Sequence, residues 1–298
     1  TFILQVKDTQ FRVNRDSDVL AYNSLAFHGM FTVPQPANET QIEGCPVVEL
    51  TGDSVKDMEL FLTALYNPYR FYHKIKLPFD LLACSLRLGR KYEAPTFKQD
   101  SVQRLYAEFP KTLDLWDKRQ ACFRLYSLEY TRPTASVLID LLNLAYENGV
   151  YTCIPALSFR CLNLYPLSKL FEGIDREDGS RAVLPDATKV TLAHALESIQ
   201  FFRRINLEWL REEGEVVPHR DCEVDDECEA HRQQIAALTM WTSRALEPWD
   251  VVASGEWAGR FCKEWCEPAA RLEHEAGRRR AWDQLPDFFG LPEWESRE

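Results

Sequence analysis

The sequence predicts an α+β amino-terminal domain followed by an all-α extension, mostly helical overall. Three observations carry this. Apolar and polar residues alternate at the start, as in a strand pair. From Ser54 the apolar period changes to that of a helix. After Pro110 only helical patterns follow.

Phe2, Leu4 and Val6 fall on one face, and Phe11 and Val13 on another short one, with the polar stretch Lys7-Asp8-Thr9-Gln10 between them. This is a hairpin pattern without an Asn-Gly or Asp-Gly turn. Leu20, Leu25, Phe27, Met30 and Phe31 read as helix. Residues 34–46 contain Pro34, Pro36 and Pro46 among polar neighbours and read as a loop, and Val47, Val48 and Leu50 as a short strand. Val55, Met58, Phe61, Leu62 and Leu65 recur at helical spacing behind Ser54, a suitable N-cap. Phe79, Leu82 and Leu86 mark the next helix, then Val102, Leu105 and Phe109 another. The domain boundary is therefore set between residues 1–109 and 110–298.

In the second part, Pro133 opens a helix carrying Val137, Leu141, Leu142 and Ala145, and Pro155 opens one carrying Leu157, Cys161 and Leu164. Asp175 to Arg181 is a charged turn around Gly179. It lacks the alternating oxygen ligands of a calcium loop. Leu192, Leu196, Ile199, Phe202 and Trp209 share a face of a long helix. Ile235, Leu238, Thr242 and Ala245 mark another, and a last one runs from Trp257 to about Leu285-Pro286.

Composition limits the function. The net charge of −11 and the pI near 5.2 oppose nucleic acid as the main ligand, because phosphate binding needs a concentrated positive field. The short run Arg278-Arg279-Arg280 reads as a solvated face. No apolar run is long enough for a membrane span, so no membrane partner is expected. Nine cysteines, an odd number scattered through the chain, point to a reducing intracellular compartment, cytoplasm or nucleus, rather than to a secreted disulfide framework. No nucleophile elbow, phosphate loop, dinucleotide fingerprint or His-Glu-x-x-His pair occurs, so no enzyme is expected.

Four cysteines form two pairs. Cys222 and Cys228 flank an acidic stretch of Glu223, Asp225, Asp226 and Glu227, and Cys262 and Cys266 lie four apart on an expected helix, sharing a face. Four thiolates suit a closed tetrahedral site for one structural Zn²⁺. The five- and three-residue spacers are looser than a usual knuckle, so a second reading stands beside it: two pairs of ordinary thiols. His219, His231 and His274 lie nearby in sequence.

The amino-terminal third resembles the BTB/POZ domain. The resemblance rests on Phe11-Arg12-Val13, Leu20, Asn23-Ser24, Phe27 and Met30-Phe31, then Val47-Val48-Glu49-Leu50, Ala64-Leu65-Tyr66-Asn67-Pro68 and Leu81 to Tyr92, closing as Arg90-Lys91-Tyr92. No one of these is specific; their order and spacing are. The remainder is similar to the carboxy-terminal region of fungal BTB proteins, through Glu177-Asp178-Gly179-Ser180-Arg181, the paired cysteines, and Arg280-Ala281-Trp282-Asp283-Gln284-Leu285-Pro286. Asn14 stands where many members have histidine. The family's aspartate before the first strand and its swapped-dimer element would fall upstream of Thr1.

The resemblance implies a protein-protein interaction adaptor or scaffold, with protein partners, a homodimer or a cullin-type scaffold among them. Its contact surface would include Met58-Glu59 and Phe71-Tyr72. Phe27, Met30 and Phe31 are candidates for an exposed apolar patch, the alternative being that they are core. Two further readings are a transcription-linked regulator acting by oligomerisation and a zinc-dependent hydrolase. The first lacks a DNA-binding module, and the second requires an open metal position lined by a carboxylate base.

Overall fold

The computed structural model describes residues 1–14, 19–33, 41–69, 76–120, 128–129, 135–176, 178–211, 216–239, 246–255, 257 and 259–294. Phe71 and Tyr72, Pro34 and Pro36, Pro133, Glu177, and Thr242 and Ala245 lie outside them. The chain divides into two units. The first comprises Thr1–Glu108, joined by Leu128–Glu129 and Leu144–Val150; the second holds the described residues of Phe109–Cys122, Thr134–Asn143 and Tyr151–Glu298. The first unit thus takes back two segments from beyond residue 109, which local patterning does not reveal.

In the first unit, strand β1 (Phe2–Val6) turns through Lys7 and Asp8 into β2 (Thr9–Val13). Lys7 takes the left-handed backbone, φ +52°, so the hairpin turn is two residues long and Thr9 and Gln10 belong to the strand. Helices α1 (Val19–Asn23) and α2 (Leu25–Thr32) are separated at Ser24. Ser24 breaks the run by capping α2: its hydroxyl accepts the Phe27 N–H at 3.1 Å and donates to the Tyr92 carbonyl. Strands β3 (Gln41–Ile42) and β4 (Cys45–Glu49) form a second antiparallel pair. The expected loop over 34–46 therefore ends in strand, with Pro46 opposite Gln41 on the short β3 pairing.

The sheet order is β2-β1-β4-β3, with β1 and β4 parallel. Being central, β1 is covered on both faces: Phe2, Ile3, Leu4 and Val6 are all buried. Helix α3 (Val55–Tyr66) starts where Ser54 accepts the Asp57 N–H at 2.9 Å. The two-residue strand β5 (Leu77–Pro78) leads into α4 (Phe79–Lys91), and α5 (Pro95–Glu108) follows. β5 pairs in parallel with β6 (Leu128–Glu129).

The core of this unit is aromatic. Phe27 stacks on Tyr92 with centroids 4.6 Å apart, Phe31 stacks on Phe2 at 4.8 Å, and Phe61 meets the edge of Phe97 at 5.3 Å. This corrects the contact surface read from the sequence. Phe27, Phe31 and Met58 are buried, and helical spacing alone does not say which way such a stripe faces. Met30 is half-buried and Glu59 exposed.

The second unit contains α6 (Leu113–Gln120), the first part of α7 (Ala135–Asn148), α8 (Ile154–Leu164) and α9 (Leu167–Glu172). It is not all-α. Strands β7 (Ile174–Asp175) and β8 (Arg181–Ala182) form a short hairpin at the charged turn, tied by Arg181 to Asp175 at 2.7 Å and by Arg176 to Asp140 at 2.6 Å. The long α10 (Asp186–Asn206) ends before Trp209, which sits in a separate 3-10 turn. Helices α11 (Asp225–Thr239), α12 (Trp249–Ser254), α13 (Cys266–Asp283) and α14 (Leu285–Phe288) complete it. Arg278 is not a solvated face: its guanidinium is buried and bonds Asp117 at 2.6 Å, Glu275 at 2.5 Å and the Leu246 carbonyl at 3.1 Å. A paired and hydrogen-bonded cation is the form in which a charge survives burial.

Two outcomes are expected. Tyr92→Phe removes the hydroxyl that donates to the buried Asp53 carboxylate, to which Lys91 also donates at 2.7 Å. Urea denaturation should show a loss of about 1–3 kcal/mol, and an unchanged midpoint would show that the contact contributes nothing. Arg278→Met strands Asp117 and Glu275 and should cost about 3–5 kcal/mol, read the same way.

Candidate metal centre

Four sulfurs meet in the second unit. The Sγ atoms of Cys222, Cys228, Cys262 and Cys266 all lie within 4.8 Å of one another. The sequence separates the two pairs by more than thirty residues, and the fold brings them together through two helix starts. Cys228 is in the first turn of α11, and Cys266 is the first residue of α13. The acidic stretch between Cys222 and Cys228 is therefore partly helix: Asp225, Asp226 and Glu227 form the first turn of α11, where carboxylates suit the positive end of the helix dipole.

Cys262 and Cys266 do not share a helix, contrary to the sequence reading. Cys262 sits in the turn before α13, whose Glu267 N–H donates to the Cys262 carbonyl at 2.9 Å. Pro268 carries the signal that places this boundary. A proline fits the first turn, where its missing N–H has no partner to lose, but not the interior of a helix begun at Trp257.

Backbone amides face the sulfurs. The Cys266 N–H donates to Cys262 Sγ at 3.3 Å, the Cys262 N–H to Cys228 Sγ at 3.4 Å, and the His219 N–H to Cys266 Sγ at 3.3 Å. These donors, with the starts of two helices, offset the negative charge that four thiolates would gather. Burial pushes Cys228 and Cys266 up. Burial also raises Cys262, but the N–H groups of Cys266 and Trp265 and the neighbouring thiols outweigh it and bring this thiol down to about 7.

The geometry is compatible with a metal site, and the four cysteines are not joined as disulfides. The Cys222 and Cys262 sulfurs are 3.7 Å apart. A bonded pair would be about 2.05 Å apart. A tetrahedron with Zn–S bonds of about 2.3 Å has edges of about 3.8 Å. The donor set, four soft sulfurs, is compatible with a structural zinc ion.

The nearby histidines stand outside the cluster. His219 contributes its main chain, while its ring stacks on Trp265 with centroids 5.5 Å apart and its Nδ1 accepts the Asp221 N–H. His274 is held by Trp249 and Trp257 at 5.8 and 5.4 Å, with Nε2 2.9 Å from the Glu247 carbonyl. His231 is not among the clustered ligand atoms. Sequence reasoning did not find the apolar surround: Trp209, Leu210, Val217, Ile235, Trp249, Trp257, Phe261 and Ala270 pack in one cluster with Cys228 and Cys266. Its tryptophans come from three different segments, so no local period announces them.

Beyond this cluster, no helix is long and apolar enough to cross a membrane among the described residues. Comparisons with models of protein families, with curated proteins and with solved structures found no match.

Two predictions arise here. With cobalt(II) as probe, His219→Ala should retain the thiolate charge-transfer bands of the wild type, since the amide donor remains; Cys266→Ser should lose them. Equal loss in both would make the His219 ring a participant. The second concerns pH. Burial lowers the His274 pKa from its ordinary 6.5, so the unfolded chain binds the proton first. Stability is full above about pH 6.5 and falls as pH drops below it, towards the folded value. His274→Asn keeps polar groups for the Glu247 carbonyl and cannot titrate. It should flatten the dependence of the urea midpoint between pH 7 and 5.5, and an unaltered slope would assign the effect elsewhere.

Proposed function

We propose that this chain is a non-enzymatic protein-interaction scaffold, with a BTB/POZ-type docking unit and a helical unit fastened by one structural Zn²⁺ on Cys222, Cys228, Cys262 and Cys266. The convergence of the four thiols is the observation that carries it. With a thiolate at every tetrahedral position, a bound zinc keeps no place for water or substrate, as a catalytic zinc must. The chemistry a bound ion would supply is cross-linking: Cys222, Cys228, Cys262 and Cys266 would hold it and so join the turn before α11 to the turn before α13 beside the tryptophan cluster. Structural zinc sites in small folds supply about 10–16 kcal/mol of apparent binding energy, comparable with the whole stability of a domain.

The docking role is supported by the first unit. Its element order is hairpin, helical pair, a short antiparallel strand pair whose second strand runs parallel to the first strand of the sheet, then helices. At the break between α1 and α2 the surface carries Tyr22, 87% exposed, and Leu25, 64% exposed. Large apolar groups exposed to water on neighbouring turns suit a protein partner. Glu59 and Met30 remain available beside the buried residues named above. The partners proposed are a second copy of the chain or a cullin-type scaffold, inside the cell.

Two measurements test this. Elemental analysis of the reduced chain should find one zinc per chain, with Cys266→Ser metal-free and lower melting. Sedimentation velocity should show self-association, or calorimetry should show micromolar or tighter binding to a cullin amino-terminal domain, and Tyr22→Ser with Leu25→Ser should abolish whichever occurs. A folded chain that stays monomeric and ignores cullin would end the docking proposal and leave the zinc result standing by itself.

A further inference from the structure

The four thiols of the cluster are not equivalent. Cys228 is 1% exposed and Cys266 0%, each packed into the tryptophan core. Cys222 and Cys262 are half-buried at its margin. These outer sulfurs lie 3.7 Å apart and come from positions 40 residues apart in the chain. The two accessible thiols of the cluster therefore face each other across the two segments that it joins.

From this arrangement we infer that Cys222 and Cys262 are an oxidisable pair, closing a disulfide and discharging the metal when the chain meets a hydroperoxide. The discharge of zinc rests on the metal reading above; the choice of pair rests on geometry alone. In the metal-bound state both sulfurs are thiolates. One attacks the outer peroxide oxygen, the O–O bond breaks, and the departing alkoxide or hydroxide takes a proton from solvent. The resulting sulfenic acid is attacked at sulfur by the second thiolate, and the hydroxide that leaves takes another proton as water. Two thiolates have lost two electrons, and the peroxide has gained them with two protons.

The sulfurs approach from 3.7 Å to about 2.05 Å. Zinc, left with Cys228 and Cys266, loses the closed coordination and passes to solvent, and those two sulfurs take up protons. Burial keeps the peroxide from the inner pair, since oxidation follows exposure as well as thiolate character. The disulfide ties the same two turns that the metal tied, so the cross-link changes in kind without being lost. The inner thiols then lie side by side, protonated and protected.

The test uses the full reduced chain, its zinc measured before oxidation. Hydrogen peroxide is added, zinc release is followed with a chromogenic chelator, and the cysteines are mapped by non-reducing peptide mass spectrometry. The expected result is one zinc released for each Cys222–Cys262 disulfide, with Cys228 and Cys266 alkylated only after unfolding, and zinc retaken after reduction. A disulfide that involves Cys228 or Cys266, zinc release without a disulfide, or zinc retained under peroxide would overturn the inference. If the reduced chain holds no zinc, the metal reading fails separately. Mapping of the metal-free chain then decides the pair, with Cys222–Cys262 supporting it and any other pairing rejecting it.

Discussion

In the second unit four sulfurs come to one place from two distant turns. Each turn ends in a helix, and each helix places one buried cysteine in its first turn: Cys228 in α11 and Cys266 in α13. The arrangement satisfies several needs together. Helix starts carry amides without intrahelical partners and a positive field. Sulfurs that approach one another closely need donors and positive charge nearby. The tryptophan cluster packs around the inner pair, its members coming from separate segments.

The first unit is organised differently. Its centre is β1, flanked by β2 and β4 and covered on both faces. Phe2, Phe27, Phe31, Phe61, Tyr92 and Phe97 form one linked aromatic cluster, and the buried Asp53 accepts from Tyr92 and Lys91 just before α3. The buried rings pack here with aliphatic side chains such as Leu4, Leu20, Met58 and Leu82. In the second unit apolar area is interspersed with buried charge, as at Arg278 and at Arg232, which bonds Glu229 and the Leu210 carbonyl.

How much of this was readable from the sequence follows from the range of each interaction. Local events were readable: the capping by Ser54, the helices α4 and α8, the charged turn at Gly179 and the α+β start. Non-local ones were not. The parallel pairing of β1 with β4 leaves no mark on either strand. The face on which Phe27 and Phe31 lie is decided by Tyr92 and Phe2, and a stripe at helical spacing looks the same whether it meets core or water. The four cysteines could be named because their residue type is selective. Their helical context is not marked by the apolar period; the first-turn acids at Asp225 and the proline at 268 mark it instead. The tryptophan surround had no sequence signal beyond its composition.

The return of Leu128–Glu129 and Leu144–Val150 to the first unit bears on the order in which the protein is made. β1 emerges before its parallel neighbour, which comes some forty residues later, and β5 waits for β6 at Leu128. Arg90 waits longer still, for the Glu147 carbonyl. A ribosome that has completed residue 109 has delivered most of this unit but not its closing pieces, so the unit finishes folding only when the first helices of the second have already been translated. The boundary in the sequence and the boundary in folding are two different places.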